Sequence, residues 1–182
     1  MQRVVTGHTE DGKSVFVSTG ETPRIVNFVE PPIPELSEPW LTELWATDII
    51  PTVPADKADP TVSMVSFVPK PGGTRFRITR IAPQQVIKQS LEKGVNLEER
   101  LKRTPDLANM FEPEFPGMHT TNTVDYGIVV SGEVSLELDD GKEVQLKPGD
   151  CVVQNGTRHA WRNRGSEPCI MAFIMIGANR NK

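Results

Sequence analysis

Apolar and polar residues alternate most cleanly in the last third of the chain. Between Glu133 and Leu138 the apolar Val134, Leu136 and Leu138 are separated by polar neighbours, the period of two that sets one side of a strand against a core. Asp139-Asp140-Gly141-Lys142 predicts a hairpin turn. A strand returns over Glu143–Leu146, and Lys147-Pro148-Gly149-Asp150 predicts the next turn. Val124–Val130, ended by Ser131-Gly132, precedes this hairpin; Cys151–Gln154, Thr157–Asn163 and Cys169–Ile176 follow it. Many short strands at close spacing predict an all-β antiparallel sandwich or barrel rather than a parallel α/β sheet. One such set is present, without an internal repeat.

The N-terminal half is less regular. Ser14–Ser18, Ile25–Phe28 and Leu41–Thr47 are short β-like pieces divided by proline-rich connections such as Glu30-Pro31-Pro32-Ile33-Pro34. They are too small to bury a core alone, so residues 1–60 are expected to form an arm on the barrel or on a partner subunit, with the barrel over 61–182. Ser63–Val68 and Thr74–Ile81 read as firmer strands joined through Pro69-Lys70-Pro71-Gly72-Gly73. Asn96–Phe111 is the one stretch with helical signals. Asn96 with Glu99 forms a capping box, and Thr104-Pro105-Asp106 marks a second start. Two short helices are expected there, either a packed connection or a lid.

Composition narrows the class. Of 182 residues, 16 are proline and 14 glycine, natural between short strands and hard to place in long helices. A net charge of -4 argues against a general nucleic-acid binder, which shows a basic face. No apolar run is long enough to cross a membrane, and Met1–Thr9 lacks the charged start and apolar stretch of a secretory leader. Cys151 and Cys169 do not make a disulfide framework and read as buried free thiols in a reducing compartment. A cytoplasmic protein is expected.

Candidate chemistry gathers in two segments, Pro116–Gly132 and Gly149–Asn163. His119, Thr121 and Asp125 share parity, and His159 shares a face with Trp161. If these strands line one barrel, His119, His159 and Asp125 form a two-His, one-carboxylate set suited to Fe(II), Mn(II), Ni(II) or Zn(II) with open positions for substrate. His119 and His159 are equally candidates for proton transfer. Tyr126, of opposite parity to Asp125, is expected to face away from the pocket unless a bulge reverses it, in which case it is a catalytic candidate. Trp161 is either a stacking platform or core. Arg75 and Arg77 share one strand face, and a barrel-lining arginine, Arg77 above all, would clamp or polarise a substrate oxygen; a solvated or interface arginine is the alternative. His8 could complete a site here or in a neighbouring subunit, or lie on the surface. No P-loop, dinucleotide loop, GxSxG elbow or CxxC occurs.

The two segments resemble the paired motifs of the cupin family. The first is similar to G, five residues, HxH, three or four residues, E, six residues, G, with one residue instead of five between Gly117 and His119, Asp125 in the Glu slot and Thr121 in place of the second His. The second is similar to G, five residues, PxG, two residues, H, three residues, N, with Asn155 for proline and one residue fewer before Gly156. Further echoes of small single-domain cupins are Val4-Val5-Thr6-Gly7-His8, Glu43-Leu44-Trp45-Ala46-Thr47-Asp48, Gly72-Gly73-Thr74-Arg75-Phe76-Arg77 and His159-Ala160-Trp161-Arg162-Asn163-Arg164-Gly165. The resemblance implies an antiparallel double-stranded β-helix or jelly-roll barrel, a small-molecule substrate and a homodimer with N-terminal strands at its interface. Three ligands remain for a divalent metal, with Thr121 oxygen or water completing the set, or the pocket works without metal. Three functions stay open: a lyase or isomerase (dehydratase or decarboxylase) working by acid–base chemistry, an Fe(II) dioxygenase, and a non-catalytic ligand binder.

Overall fold

Regular in–out alternation of side chains organises the barrel. The computed structural model describes residues 1–27, 39–55, 58–93 and 104–181. Its strands are β1 (Arg3–His8), β2 (Ser14–Gly20), β3 (Arg24–Asn27), β4 (Pro39–Thr47), β5 (Thr74–Ile81), β6 (Thr123–Ser131), β7 (Val134–Glu137), β8 (Glu143–Leu146), β9 (Cys151–Asn155), β10 (Ala160–Arg162) and β11 (Cys169–Gly177). They pair antiparallel into three sheets: β1-β2, β10-β7-β8, and a six-stranded sheet in the order β3-β4-β5-β11-β6-β9.

The core lies between the six-stranded and three-stranded sheets. Val129, Cys169, Met171, Phe173 and Met175 from β6 and β11 meet Val134 and Leu146 from β7 and β8, with Leu136, Val152 and Trp161 packed around them. Burial of such side chains stabilises the fold by about 1.5–3 kcal/mol each. Two glycines permit the close packing. A Cβ at Gly127 would lie 2.9 Å from the Phe173 ring, and one at Gly132, where φ is 72°, would lie 2.4 Å from the Pro168 carbonyl oxygen. The expected 139–142 turn forms with Asp140 and Gly141 both at positive φ.

Three readings of the sequence are corrected. Cys151, read as buried with Cys169, is exposed, while Cys169 is buried. Ser63–Val68 is not a strand. Asp59 caps a short helix, α1 (Pro60–Ser63), by accepting from the Thr61 amide at 2.9 Å. The chain then turns Met64 and Phe67 into a second core with Val26, Leu41, Ala46 and Leu107. The carbonyls of Ser66 and Phe67 accept from the guanidinium groups of Arg75 and Arg77 instead of from a neighbouring strand. Helix α2 (Gln84–Glu92) follows Ala82-Pro83, so 96–111 is not the one helical stretch. Its mostly polar sequence carries few apolar positions for a periodicity to show. The capping box at Asn96 lies outside the described residues, while the restart at Thr104 is present as α3 (Pro105–Ala108). The N-terminal part divides: β3 and β4 extend the six-stranded sheet, and β1 and β2 form a separate hairpin.

Candidate functional site

His119 and His159 sit side by side because their backbones pair. Each donates its amide to the other's carbonyl, at 2.9 and 3.0 Å, which forms a one-residue antiparallel bridge before β6 and before β10. The imidazole centroids are 4.2 Å apart. Nδ1 of His119 lies 3.0 Å from the Gly117 carbonyl, and Nδ1 of His159 lies 2.9 Å from that of Thr157. A carbonyl accepts only, so each Nδ1 carries the proton and the lone pair is on each Nε2. Burial and the neighbouring His119 push His159 down to about 4. Burial also lowers His119, against the carbonyl of Gly117 and the charge of Glu112. Both rings are therefore neutral at pH 7.

An aromatic stack holds the pair. Phe111 covers His119 at 4.8 Å between centroids; on the other side Trp161 meets His159 edge-on at 5.7 Å and Phe173 at 5.5 Å. Trp161 is thus wall and core at once. The segment carrying Phe111 is tied to the His159 side by Arg158, which bonds both oxygens of Glu112 at 2.7 Å and Asp139 at 2.8 Å, and lies over the Phe115 ring.

Asp125 belongs to a second cluster. Strand register places Gln154, Asp125, Met175 and Arg75 in one inward row across β9, β6, β11 and β5. Gly127, Phe173, Arg77 and Glu43 form the next row. Glu43 is fully buried and forms an ion pair with Arg77 at 2.6 Å. Asp125 is buried, and its Oδ1 has no hydrogen-bond partner among the described residues. Burial raises its carboxyl to about 6, against the opposing pull of the Thr123 hydroxyl and the more distant Arg77. Thr121 spends its hydroxyl on that of Thr123 at 2.7 Å.

The three-ligand metal set is therefore not assembled. Among the described residues no three His, Cys, Asp or Glu side chains converge on one point that would hold an ion. Parity fixes a side chain's face but not what it meets: register pairs Asp125 with Gln154 and Met175, whereas His119 pairs with His159. Thr121, held by Thr123, does not join the histidines as a ligand. Arg75 is not an anion clamp either: it donates to the carbonyls of Ser66, Thr47 and Thr74 and to Asp48. Arg77 lines the barrel as expected, but its charge is met by Glu43. Tyr126 points outward, 46 % exposed, opposite in parity to Asp125 and away from the histidines. His8 is exposed at the end of the β1-β2 hairpin. Sequence reasoning missed Glu43, Phe111 and the Glu112–Arg158 pair. Glu43 lies in an apolar strand, the one signal that marks it; the other two become partners only through the bridge at His119.

Residues 110–176 match the family model of the cupin domain. Over 62 residues the chain is 55% identical to the phomopsin biosynthesis cluster protein D of Diaporthe leptostromiformis, a stretch that covers 34% of this chain and 33% of that one. Over 65 residues it is 37% identical to the cupin-domain-containing oxidoreductase fogC of Aspergillus ruber, covering 34% and 32% respectively. The matches thus span about a third of the length of these relatives. A cupin 2 conserved barrel domain protein from Salinispora arenicola superposes with a TM-score of 0.35 at 16% identity, over 58% of this chain and 64% of that one.

Proposed function

Starting from a chain whose residues 110–176 are a cupin domain, we propose that it is a small-molecule enzyme of the lyase or isomerase type, working by proton transfer at His119 and His159. The observation that carries this reading is the pair of neutral imidazoles whose Nδ1–H groups are both tied to backbone carbonyls. One Nε2 takes a proton from a C–H made acidic by an adjacent carbonyl. The resulting imidazolium keeps its Nδ1–H bond to Gly117 or Thr157, which stabilises the new charge. The second ring stays neutral, since two imidazolium ions at this separation repel. The same proton then goes to a departing hydroxyl, completing a dehydration, or to another carbon, completing an isomerisation. Trp161, at the edge of His159, flanks the position of a planar substrate.

The donor set does not fit a two-His, one-carboxylate ion, so no step is routed through a metal. A second reading, an oxidoreductase, is favoured by the name of the fogC relative. Both are tested by incubating the protein in D2O with a panel of β-hydroxy and β-keto acids and esters. Exchange at the α-carbon seen by NMR, lost in His119→Ala and His159→Ala, supports proton transfer. No exchange across the panel, together with oxygen uptake on addition of Fe(II), supports the oxidoreductase instead.

A further inference from the structure

The backbone pairing that aligns the two histidines is broken just inside them. Strands β6 and β9 pair from Ile128 and Cys151 down to Val124 and Asn155, and pairing resumes at the bridge between His119 and His159. Four residues, 120–123, lie on one side of the break and three, 156–158, on the other, so the two chains leave register there. A bridge of one residue pair sets how close two chains come but not the angle between them. A second tie is needed to fix the imidazoles relative to each other.

Arg180 supplies that tie. After β11 the Ala178 amide donates to the Asn122 carbonyl at 2.9 Å, which brings Arg180 to the break. Its Nε donates to Asn122 Oδ1 at 2.6 Å, and its Nη2 donates to the carbonyls of Thr121 at 2.9 Å and Gly156 at 2.8 Å. One guanidinium thus joins both sides. The gap is narrow: Gly156 has φ 60°, and a Cβ there would lie 3.1 Å from the Thr121 carbonyl oxygen and 3.2 Å from Arg180 Nη2. All three acceptors are neutral oxygens. This exposed residue therefore gives up rotamer freedom for loop geometry rather than for an ion pair, and donation from a charged group makes the bonds strong.

The tie reaches His159 through one residue. The Gly156 carbonyl belongs to the peptide that enters Thr157, and Gln154 Nε2 donates to Thr157 Oγ1 at 2.7 Å. With both held, the Thr157 backbone is fixed, and its carbonyl receives Nδ1–H of His159 at 2.9 Å. His119 is anchored elsewhere, on the Gly117 carbonyl at 3.0 Å. Resting on the reading of the two rings as the proton-transfer pair, we infer that Arg180 is a positioning residue of the site. It clasps the two connections that carry the histidines and, acting through Thr157, keeps Nε2 of His159 aimed at the reacting atom. A lysine cannot replace it, since a point charge has no planar fork to span acceptors on both sides.

Nitrogen-15 NMR of the histidine and arginine side chains, together with the exchange assay in D2O, tests the inference. In wild type the Arg180 Hε signal should be sharp at neutral pH, since a held Nε–H exchanges slowly with water, and His159 should show the Nδ1–H tautomer alone. Arg180→Ala and Arg180→Lys should both give His159 a mixture of tautomers and leave His119 nearly unchanged. Both should lower the α-carbon exchange rate about 10- to 100-fold with KM unaltered. An Arg180 Hε signal lost to solvent exchange in wild type overturns the inference, and that readout needs no variant to fold. A folded Arg180→Ala with wild-type His159 signals, or with the wild-type exchange rate, overturns it as well. If wild type itself catalyses no exchange, the proton-transfer reading fails, while a tautomer mixture at His159 in Arg180→Ala still supports the clasp.

Discussion

Two polar clusters lie inside one barrel, and they are built in opposite ways. At His119 and His159 the contacts with the described residues spend only one ring nitrogen: Nδ1 goes to a backbone carbonyl, and Nε2 stays unprotonated. At Glu43 and Arg77, deep in the six-stranded sheet, the charges are spent on each other and on the Phe67 carbonyl. On the proposed function, the first arrangement is the one that exchanges a proton with an outside molecule. The second fixes strand β5 against β4 and the 64–68 segment. A charged residue facing a barrel interior is thus not by itself a catalytic one; what matters is whether the protein has already satisfied it.

Removal of one ring is expected to have the largest effect. His159→Ala should lower proton-exchange activity by about 10²- to 10⁴-fold with little change in the thermal midpoint, whereas Arg77→Met should do the reverse. Removing Arg77 leaves Glu43 buried and alone, and chemical denaturation should show a loss of about 3–5 kcal/mol. Replacing both partners by Glu43→Leu and Arg77→Met should recover most of that loss.

Asp125 sits between the two behaviours and sharpens the comparison through pH. Its folded value of about 6 lies above the ordinary 3.8. The stabilisation from holding its proton is therefore present below pH 3.8 and is lost as pH rises through 6. His159 has the opposite sign: its folded value of about 4 lies below 6.5, so its contribution is full above pH 6.5 and is lost as pH falls through 4. The two slopes oppose each other between pH 4 and 6. Asp125→Asn removes one of them. The variant should exceed wild type in stability at pH 7.5 by about 1–3 kcal/mol, lose that advantage near pH 4, and fall more steeply than wild type between. Melting curves at stepped pH measure this. The metal content of the purified protein should be the same in Asp125→Asn as in wild type, because Asp125 is not grouped with the histidines.

The smallest effect is expected at the Glu112–Arg158 pair, which is partly open to solvent. Arg158→Gln should leave the melting temperature nearly unchanged. Its readout is the environment of the His119 ring, which Phe111 covers from the same segment. An NMR titration should show the His119 value move back toward 6.5 if the cover loosens.

The strands from Thr123 onward, the turn at Asp139–Gly141 and the inward direction of His159, Asp125 and Trp161 were legible in the pattern of residues alone. Alternation with period two is a local property, and each of these features depends on neighbours close in the chain. It also determined that Tyr126 faces away from Asp125. What the tertiary structure alone decided is distance. Asp125 and His119 share parity, yet pairing with Gln154 and Met175 sets Asp125 beside the row that holds Arg77 and Glu43, while pairing with His159 holds His119 at the edge of β6. The 63–68 segment was equally beyond local reading: apolar enough for a strand, it is kept out of the ladder because Arg75 and Arg77, from another strand, take its carbonyls. Local pattern fixes which way a side chain points; long-range pairing fixes what it meets, and the candidate site depends on the second.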